Sequence, residues 1–182
     1  MITTILFDLG GVIFFPNWKK IDEGVSYQTG IIMTTFAENS DCHRKLNRGQ
    51  ISVEEYFTLL RDYSKKPVAT IDIIKSYMEQ YEKYTKFDKK LLILLKKLRK
   101  KYFLVAISDT NFLHKVINEK KGLFSYFNAC FFSFDLGRLK QENGTFEHVL
   151  KEIGKSPKEC LLIDDAAINI QKAQECGIKT IK

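Results

Sequence analysis

The stretch ILFDLGGVI, from Ile5 to Ile13, places one carboxylate between an apolar run and a pair of glycines. The segment from Thr3 to Phe7 is short, apolar and β-branched at several positions, which predicts a buried strand. Burial of the charge on Asp8 is costly unless another group compensates it. Gly10 and Gly11 allow a sharp turn and the close approach of a ligand. The stretch therefore predicts either a ligand site at Asp8 or a simpler role for Asp8 as a helix cap.

The composition predicts a cytoplasmic globular protein with a sizeable core. The chain has 182 residues, of which 45% are hydrophobic, and it contains 14 Phe and 8 Tyr. No apolar run approaches the ~20 residues needed to cross a bilayer, and Asp8 interrupts the only apolar segment near the N-terminus. The four cysteines are widely spaced without a CxxC pair, which favours reduced thiols over zinc ligands or disulfides. No membrane partner is expected.

The net charge of +7 and the pI near 9.1 raise the question of nucleic-acid binding. Much of the excess lies between Lys86 and Lys101, which reads as one amphipathic helix. Its six apolar residues, from Leu91 to Leu95 together with Leu98, are expected to face the core and leave the lysines in solvent. No aromatic stacking motif is interleaved with the basic run, so we expect no nucleic-acid partner. A basic surface also favours the approach of anionic substrates.

Strand and helix patterns alternate along the second half of the chain. The predicted strands are 103–107, 127–134, 160–163 and 177–181, and the predicted helices between them are 111–119, 146–153 and 169–176. Strands separated by helices indicate a parallel sheet with right-handed crossovers. We therefore predict an α/β protein with a three-layer, Rossmann-like parallel sheet as its core.

A long helical insert separates the first strand from this series. Ser52 to Glu55 is a capping box that opens a helix, Pro67 interrupts the segment, and a further helix is predicted from Ile71 to Tyr84. The insert is too long for one crossover, so we expect a small all-helical cap at 17–84 and a core made of 1–16 and 85–182. Trp18 either lines an entrance or anchors the core of the cap.

Four predicted strand ends deliver polar groups to one edge of the sheet. The first carries Asp8, the second the run from Ser108 to Asn111, the third is followed by Lys140, and the fourth carries Asp164 and Asp165. The carboxyl ends of parallel strands converge on one crevice. Taken singly, these residues also fit a helix cap or a surface lysine. Together they suit phosphoryl transfer assisted by Mg²⁺, with a carboxylate as nucleophile.

This ordered set resembles the haloacid dehalogenase-like hydrolase superfamily, and more narrowly its small sugar-phosphatase-like branch. The motifs that carry the resemblance are Phe7 to Val12, Ser108 to Asn111, Lys140, and Asp164 to Asn169, so it spans nearly the whole chain. The family's helical cap matches the insert. The resemblance implies a phosphatase that acts on a small phosphorylated metabolite, such as a sugar phosphate. A monomer and a homodimer are both compatible with the composition.

The resemblance also implies roles for the residues that handle the phosphoryl group. Asp8 would be the nucleophile, with Ser108 and Lys140 as the other catalytic residues. Ser108, Asp109 and Lys140 would bind the phosphoryl group. The expected reaction passes through an aspartyl-phosphate on Asp8.

A Mg²⁺ cofactor is implied at the same place. Its ligands would be Asp8, the carbonyl of Gly10 and Asp165. Asp164 and Asn169 would serve as a further ligand or as support for the ligands.

The chain departs from the family pattern at two positions, and these departures keep other functions open. Gly10 replaces the aspartate that usually acts as general acid and base, and Gln141 replaces the usual proline after Lys140. These changes, with the short C-terminal segment, are compatible with a catalytically weak or inactive binding or regulatory protein. A 2-haloacid dehalogenase is the other alternative, with Arg44 and Arg48 as candidate groups for a substrate carboxylate.

Overall fold

The computed structural model describes residues 1–34, 36 and 41–182. A parallel sheet of five strands forms its centre, in the order β5-β4-β1-β6-β7. The strands are β1 (Thr4–Phe7), β2 (Phe14–Pro16), β3 (Thr85–Phe87), β4 (Phe103–Ser108), β5 (Ala129–Phe132), β6 (Cys160–Ile163) and β7 (Lys179–Ile181). The helices are α1 (Trp18–Thr29), α2 (Cys42–Asn47), α3 (Val53–Arg61), α4 (Thr70–Tyr84), α5 (Lys89–Leu98), α6 (Phe112–Lys120), α7 (Ser133–Leu136), α8 (Thr145–Glu152) and α9 (Ala167–Glu175).

The sheet is buried on both faces, as parallel sheets usually are. Along β1, Ile5 and Phe7 pack into a cluster with Leu95 of α5. The intervening Leu6 points to the opposite face and joins a second cluster built largely from α8, α9 and the neighbouring strands. This alternation produces the three layers of the predicted Rossmann-like α/β core, which the structure confirms.

The register of β1 sets the position of Asp8. Thr4 pairs with Phe103 of β4 on one side and with Cys160 of β6 on the other. Directly after the strand, the backbone N–H of Asp8 donates to the carbonyl of Ile163, with an N···O distance of 2.9 Å. Asp8 therefore enters the edge of the sheet beside the end of β6, where the second acidic motif begins.

The helices between β2 and β3 share a core of their own. Helices α1, α3 and α4 enclose buried side chains such as Val25, Phe57 and Tyr81, and Leu113 and Ile117 of α6 join the same cluster. The predicted capping box is confirmed: the hydroxyl of Ser52 accepts from the N–H of Glu55, and the Glu55 carboxylate accepts from the N–H of Ser52. Among the described residues, no helix is long and apolar enough to cross a membrane.

A two-stranded antiparallel ribbon joins this helical segment to the sheet, and the sequence analysis did not predict it. Strand β2 pairs with β3, with Phe14 opposite Phe87. The ribbon takes residues 86 and 87 from the helix predicted at 86–101. Asp88 then caps α5 by accepting from two backbone N–H groups. Strands of three residues are difficult to predict from sequence, because the neighbouring elements, and not the residues of the strands, decide their pairing.

The apolar stripe predicted for α5 is wrong in part. Leu95 is fully buried, whereas Ile93 is 57% exposed and Leu94 is 44% exposed. Six apolar residues in a helix of ten cover more than half of its circumference, and one face of the sheet accommodates only part of that arc. The predicted strand at 127–134 is also shorter, because β5 ends at Phe132 and α7 begins at Ser133.

Candidate active site

Strands β1, β4 and β6 end at one cavity, whose volume is about 450 Å³. Seven residues that the sequence places in the site line it: Asp8, Gly10, Ser108, Asp109, Lys140, Asp165 and Asn169. Asp164 does not line the cavity but lies behind Lys140. The tertiary structure thus brings together residues more than 150 positions apart in the chain.

Lys140 joins the two acidic strand ends. Its Nζ lies 2.6 Å from Oδ1 of Asp8 and 2.6 Å from Oδ2 of Asp164. All three side chains are less than one-tenth exposed. A buried ammonium group is tolerated here because two carboxylates compensate its charge.

The Asp164 carboxylate is held from three sides. Its Oδ1 accepts from the backbone N–H of Ala166 at 2.9 Å, and the amide of Asn169 lies 3.1 Å from each carboxylate oxygen. Lys140 occupies the remaining side. Asn169 and Asp164 therefore fix the position of Lys140, which in turn contacts Asp8.

Burial and charge change the titration of this group. Burial raises the pKa of Asp8 to about 6, Lys140 opposes this shift, and Asp164 adds to it. Burial by itself would lower the pKa of Lys140, but the neighbouring carboxylates outweigh it and raise the pKa, so the ammonium form is stabilised. At neutral pH the favoured state is a charged Lys140 beside an ionised Asp8.

The end of β4 supplies a second wall of the cavity. Ser108 is buried there, and the Asp109 carboxylate accepts from the backbone N–H of Lys140 at 2.9 Å. Burial raises the pKa of Asp109, whereas Lys140 lowers it. The Asn111 side chain accepts from the N–H of His114 and caps α6, so the helix-cap interpretation of this motif holds for Asn111. Ser108 and Asp109 remain directed at the cavity.

Gly10 and Gly11 differ in what their backbone requires. Gly11 has φ of 80°, and a Cβ there would collide with the Asp165 carboxylate, so a side chain is excluded. At Gly10 a Cβ would meet only the Phe14 ring, at 3.6 Å. The absence of a carboxylate at position 10 is therefore not imposed by the backbone.

Three carboxylates at this edge suit a divalent cation. Asp8, Asp164 and Asp165 each offer an oxygen, and these oxygens lie within 4.8 Å of one another. Oxygen ligands of this kind are those that Mg²⁺ prefers. The exposed Asp165 lies over Gly11, whereas Asp164 is already engaged by Lys140. The donor set therefore fits the expected magnesium ion.

The helical segment and α6 complete the cavity with five further side chains, of which the sequence analysis singled out only Trp18. Trp18, His43, Asn47, Tyr81 and His114 all line it. The chain contains only three histidines, and two of them, His43 and His114, line the cavity. The small number of histidines is the one feature of the sequence that could have identified these two. Because the five side chains come from four different helices, no local motif connects them.

An aromatic stack forms one side of the cavity. The rings of Tyr81 and His114 are nearly parallel, with centroids 4.0 Å apart. Trp18 packs against both rings at 5.9 Å and stays 50% exposed. Of the two roles proposed for Trp18, the structure favours the entrance. Burial lowers the pKa of His114 to about 3, so its ring is neutral at physiological pH.

Neither Arg44 nor Arg48 lines the cavity. Arg44 pairs with Asp41, and Arg48 donates to the Glu142 carboxylate at 2.7 Å and 3.0 Å. Glu142 also accepts from the N–H of Leu139, next to Lys140. Among the described residues, no arginine lines this cavity, so the structure gives no support to Arg44 or Arg48 as groups for a substrate carboxylate.

Comparison with known proteins adds independent information. The family model for haloacid dehalogenase-like hydrolases matches residues 2–177. The chain is 26% identical to D-ribitol-5-phosphate phosphatase from Bacteroides thetaiotaomicron, over 100% of this chain and 92% of that protein. It is 28% identical to a sesquiterpene phosphatase from Aspergillus oryzae, over 95% of this chain and 85% of that protein.

A solved structure resembles the whole chain. It is a wild-type HAD family enzyme from Bacteroides thetaiotaomicron, in complex with magnesium and inorganic phosphate. The TM-score is 0.88 at 27% identity, and the alignment covers 100% of this chain and 94% of that one. The fold that carries the acidic cavity here is thus the fold of a protein that holds both a metal and a phosphate.

Proposed function

Since this chain belongs to the haloacid dehalogenase-like hydrolase family, we propose that it is a magnesium-dependent phosphatase acting on a small phosphorylated metabolite. The observation that carries the proposal is the contact of Lys140 with Asp8 inside a cavity lined by further acids. A cation and a carboxylate in contact at a strand end suit an anionic group that the carboxylate attacks. The phosphatase relatives and the magnesium complex support this assignment.

Asp8 is the nucleophile in this proposal. Its carboxylate oxygen forms a bond to phosphorus while the bond from phosphorus to the ester oxygen breaks. The released alkoxide takes a proton from water, because Gly10 provides no acid. A second water then attacks the phosphorus of the aspartyl-phosphate, which restores the carboxylate and releases inorganic phosphate. The proton that this water loses neutralises the hydroxide left by the first water. Overall, one ester and one water give one alcohol and one phosphate.

Ser108 and Lys140 bind the phosphoryl group in this proposal, and Asp109 supports them. The Lys140 ammonium compensates the charge on the phosphoryl oxygens, and the Ser108 hydroxyl donates a hydrogen bond to them. The contact between Asp109 and the N–H of Lys140 supports this role, because it fixes the lysine loop against β4. Asp109 thus acts by holding the loop in place.

Asp8, the Gly10 carbonyl and Asp165 would hold Mg²⁺, with Asp164 and Asn169 in support. When bound, the ion neutralises negative charge on the phosphoryl oxygens. The separation of the three carboxylate groups supports this ligand set. Asp164 has its oxygens directed to Lys140 and Asn169, so its main contribution is to orient that lysine.

We assign residues 17–84 to the cap and residues 1–16 with 85–182 to the catalytic core. The separate hydrophobic cluster of the helical segment supports this division. Trp18, His43 and Asn47 bring the cap to the cavity, where it excludes water and contacts the organic part of the substrate. A sugar phosphate is one such substrate, but the relatives named above point to both a polyol and a terpenoid. The proposal therefore specifies a phosphate monoester as the substrate and does not specify its organic group.

The test is release of inorganic phosphate in the presence of Mg²⁺, from p-nitrophenyl phosphate and a panel of small phosphate monoesters. We expect turnover that a chelator abolishes and that Asp8→Asn lowers by about 10³-fold or more. Lys140→Ala is expected to lower it as well. The exposed Asp62→Asn serves as the matched control and is expected to keep full activity. Undiminished activity in Asp8→Asn would exclude the nucleophile, and no turnover on any ester would favour the binding-protein alternative.

A further inference from the structure

A second cavity of about 200 Å³ adjoins the catalytic one. Trp18 and His43 line both cavities, so these two side chains lie at the boundary between them. We name the second cavity the apolar chamber. Its walls include Trp18, Ile21, Met33, His43, Tyr56 and Tyr77.

The Asp22 carboxylate and the Tyr77 hydroxyl, two of the polar groups around the apolar chamber, are already engaged. The Asp22 carboxylate accepts from the N–H of Met33 at 2.7 Å and from the hydroxyl of Thr34 at 2.8 Å. The hydroxyl of Tyr77 and Nε2 of His114 are hydrogen-bonded at 2.5 Å. A hydroxyl group placed in the chamber therefore gains few hydrogen bonds from these residues and loses those it made to water.

We propose that the apolar chamber binds the organic part of the substrate, and that the enzyme prefers alkyl, terpenoid or aryl monophosphates to polyol phosphates. This inference depends on the proposed phosphatase function. Apolar carbon gains free energy on leaving water, whereas each unpaired hydroxyl loses it. A cavity of about 150 Å³ is enough for a benzene ring, so the chamber suits about six to eight carbon atoms.

The position of the chamber matches this role. The phosphoryl group at Lys140 and Asp8 occupies the polar end of the first cavity. The organic group then passes Trp18, whose ring is half exposed and backed by Tyr81. The cap residues between the first cavity and the apolar chamber are aromatic and aliphatic. An organic group that extends past Trp18 therefore moves away from the charged groups of the core.

A matched pair of substrates tests the preference. Pentyl phosphate and D-ribitol 5-phosphate share a five-carbon chain and a primary ester, and they differ only in hydroxyl groups. We expect kcat/KM to be about tenfold or more higher for pentyl phosphate. Equal or better hydrolysis of the ribitol ester would overturn the inference and leave the phosphatase function standing. Failure of both esters and of the wider panel would overturn the proposed function, and the inference with it.

Two methionine variants locate the preference in the chamber. Met33 and Met78 are both partly buried against the same cap core, but only Met33 lines the chamber. We expect Met33→Gln to reduce the ratio of the two kcat/KM values by about threefold to tenfold, and Met78→Gln to change it by less than about twofold. An unchanged ratio in Met33→Gln, or an equal change in Met78→Gln, would place the preference elsewhere and overturn the assignment. Circular dichroism of both variants verifies that they fold.

Discussion

Nζ of Lys140 lies 2.6 Å from Oδ1 of Asp8, although 132 positions separate the two residues in the chain. Both side chains are buried, and the same ammonium group contacts Asp164. This pair connects the end of β1 to the loop between α7 and α8. The Lys140 ammonium and the Asp8 carboxylate therefore contribute both to the stability of the core and to the chemistry of the site.

We predict that Lys140→Met lowers the free energy of unfolding by about 3–5 kcal/mol, because it leaves two buried carboxylates without a compensating charge. Urea unfolding in the absence of Mg²⁺ measures this. Lys120→Met is the matched control, since Lys120 pairs with Glu82 at the surface and exposed pairs contribute about 1 kcal/mol or less. A cost no larger than the control's would mean that the buried carboxylates do not depend on Lys140.

We predict that Gly10→Asp folds and raises turnover, because the backbone there accepts a Cβ and the new carboxyl group can protonate the leaving oxygen. General acids contribute about 10²–10⁴-fold in rate. The gain is expected mainly for alkyl phosphates, whose leaving groups need a proton, and much less for p-nitrophenyl phosphate. Gly10→Asn provides a control of the same shape without the acid. If the two variants behave alike on alkyl esters, proton donation does not limit the reaction.

We predict that Asp165→Asn weakens Mg²⁺ binding by about tenfold or more. Isothermal titration of the folded protein with Mg²⁺ measures the affinity directly. Mg²⁺ is also expected to raise the melting temperature of the wild-type protein more than that of the variant, since a ligand stabilises the state that binds it. Asp135→Asn removes an exposed carboxylate elsewhere and should leave both quantities unchanged. Equal affinity in Asp165→Asn would remove Asp165 from the ligand set.

We predict that His114 makes stability depend on pH. Burial lowers its pKa to about 3 in the folded protein, from the ordinary value of 6.5. Below pH 6.5 the unfolded chain therefore binds a proton that the folded chain does not. The contribution of His114 is complete above pH 6.5 and is lost as the pH falls toward about 3.

The test compares urea unfolding of wild type and His114→Gln between pH 7 and pH 4. The loss of stability on acidification is expected to be smaller in the variant. His148→Gln, at an exposed position of α8, should follow the wild type. If His114→Gln loses stability as steeply as the wild type, the buried imidazole does not carry the effect.

Much of the catalytic edge was predictable because it is encoded locally. A buried strand followed by Asp8, and another followed by Asp164, are each visible as an apolar run that ends in an acid. The parallel arrangement follows from the alternation of strands and helices, so the convergence of these ends follows as well. The family and the fold class expected from the sequence are confirmed, and the relatives named above support the expected phosphatase class and magnesium cofactor. The roles of individual residues remain proposals.

The sequence by itself determined where the sheet strands lie along the chain and which acids follow them. Both features depend on a few neighbouring residues. Only the tertiary structure decided which side chains of the helical segment meet these acids. Trp18, His43 and Met33 lie in amphipathic segments whose inner face is chosen by the helices they pack against. The same holds for the ribbon of β2 and β3, whose pairing joins residues about 70 positions apart. Contacts of this kind arise from the complete fold, so the apolar chamber has no signature in any local stretch of the chain.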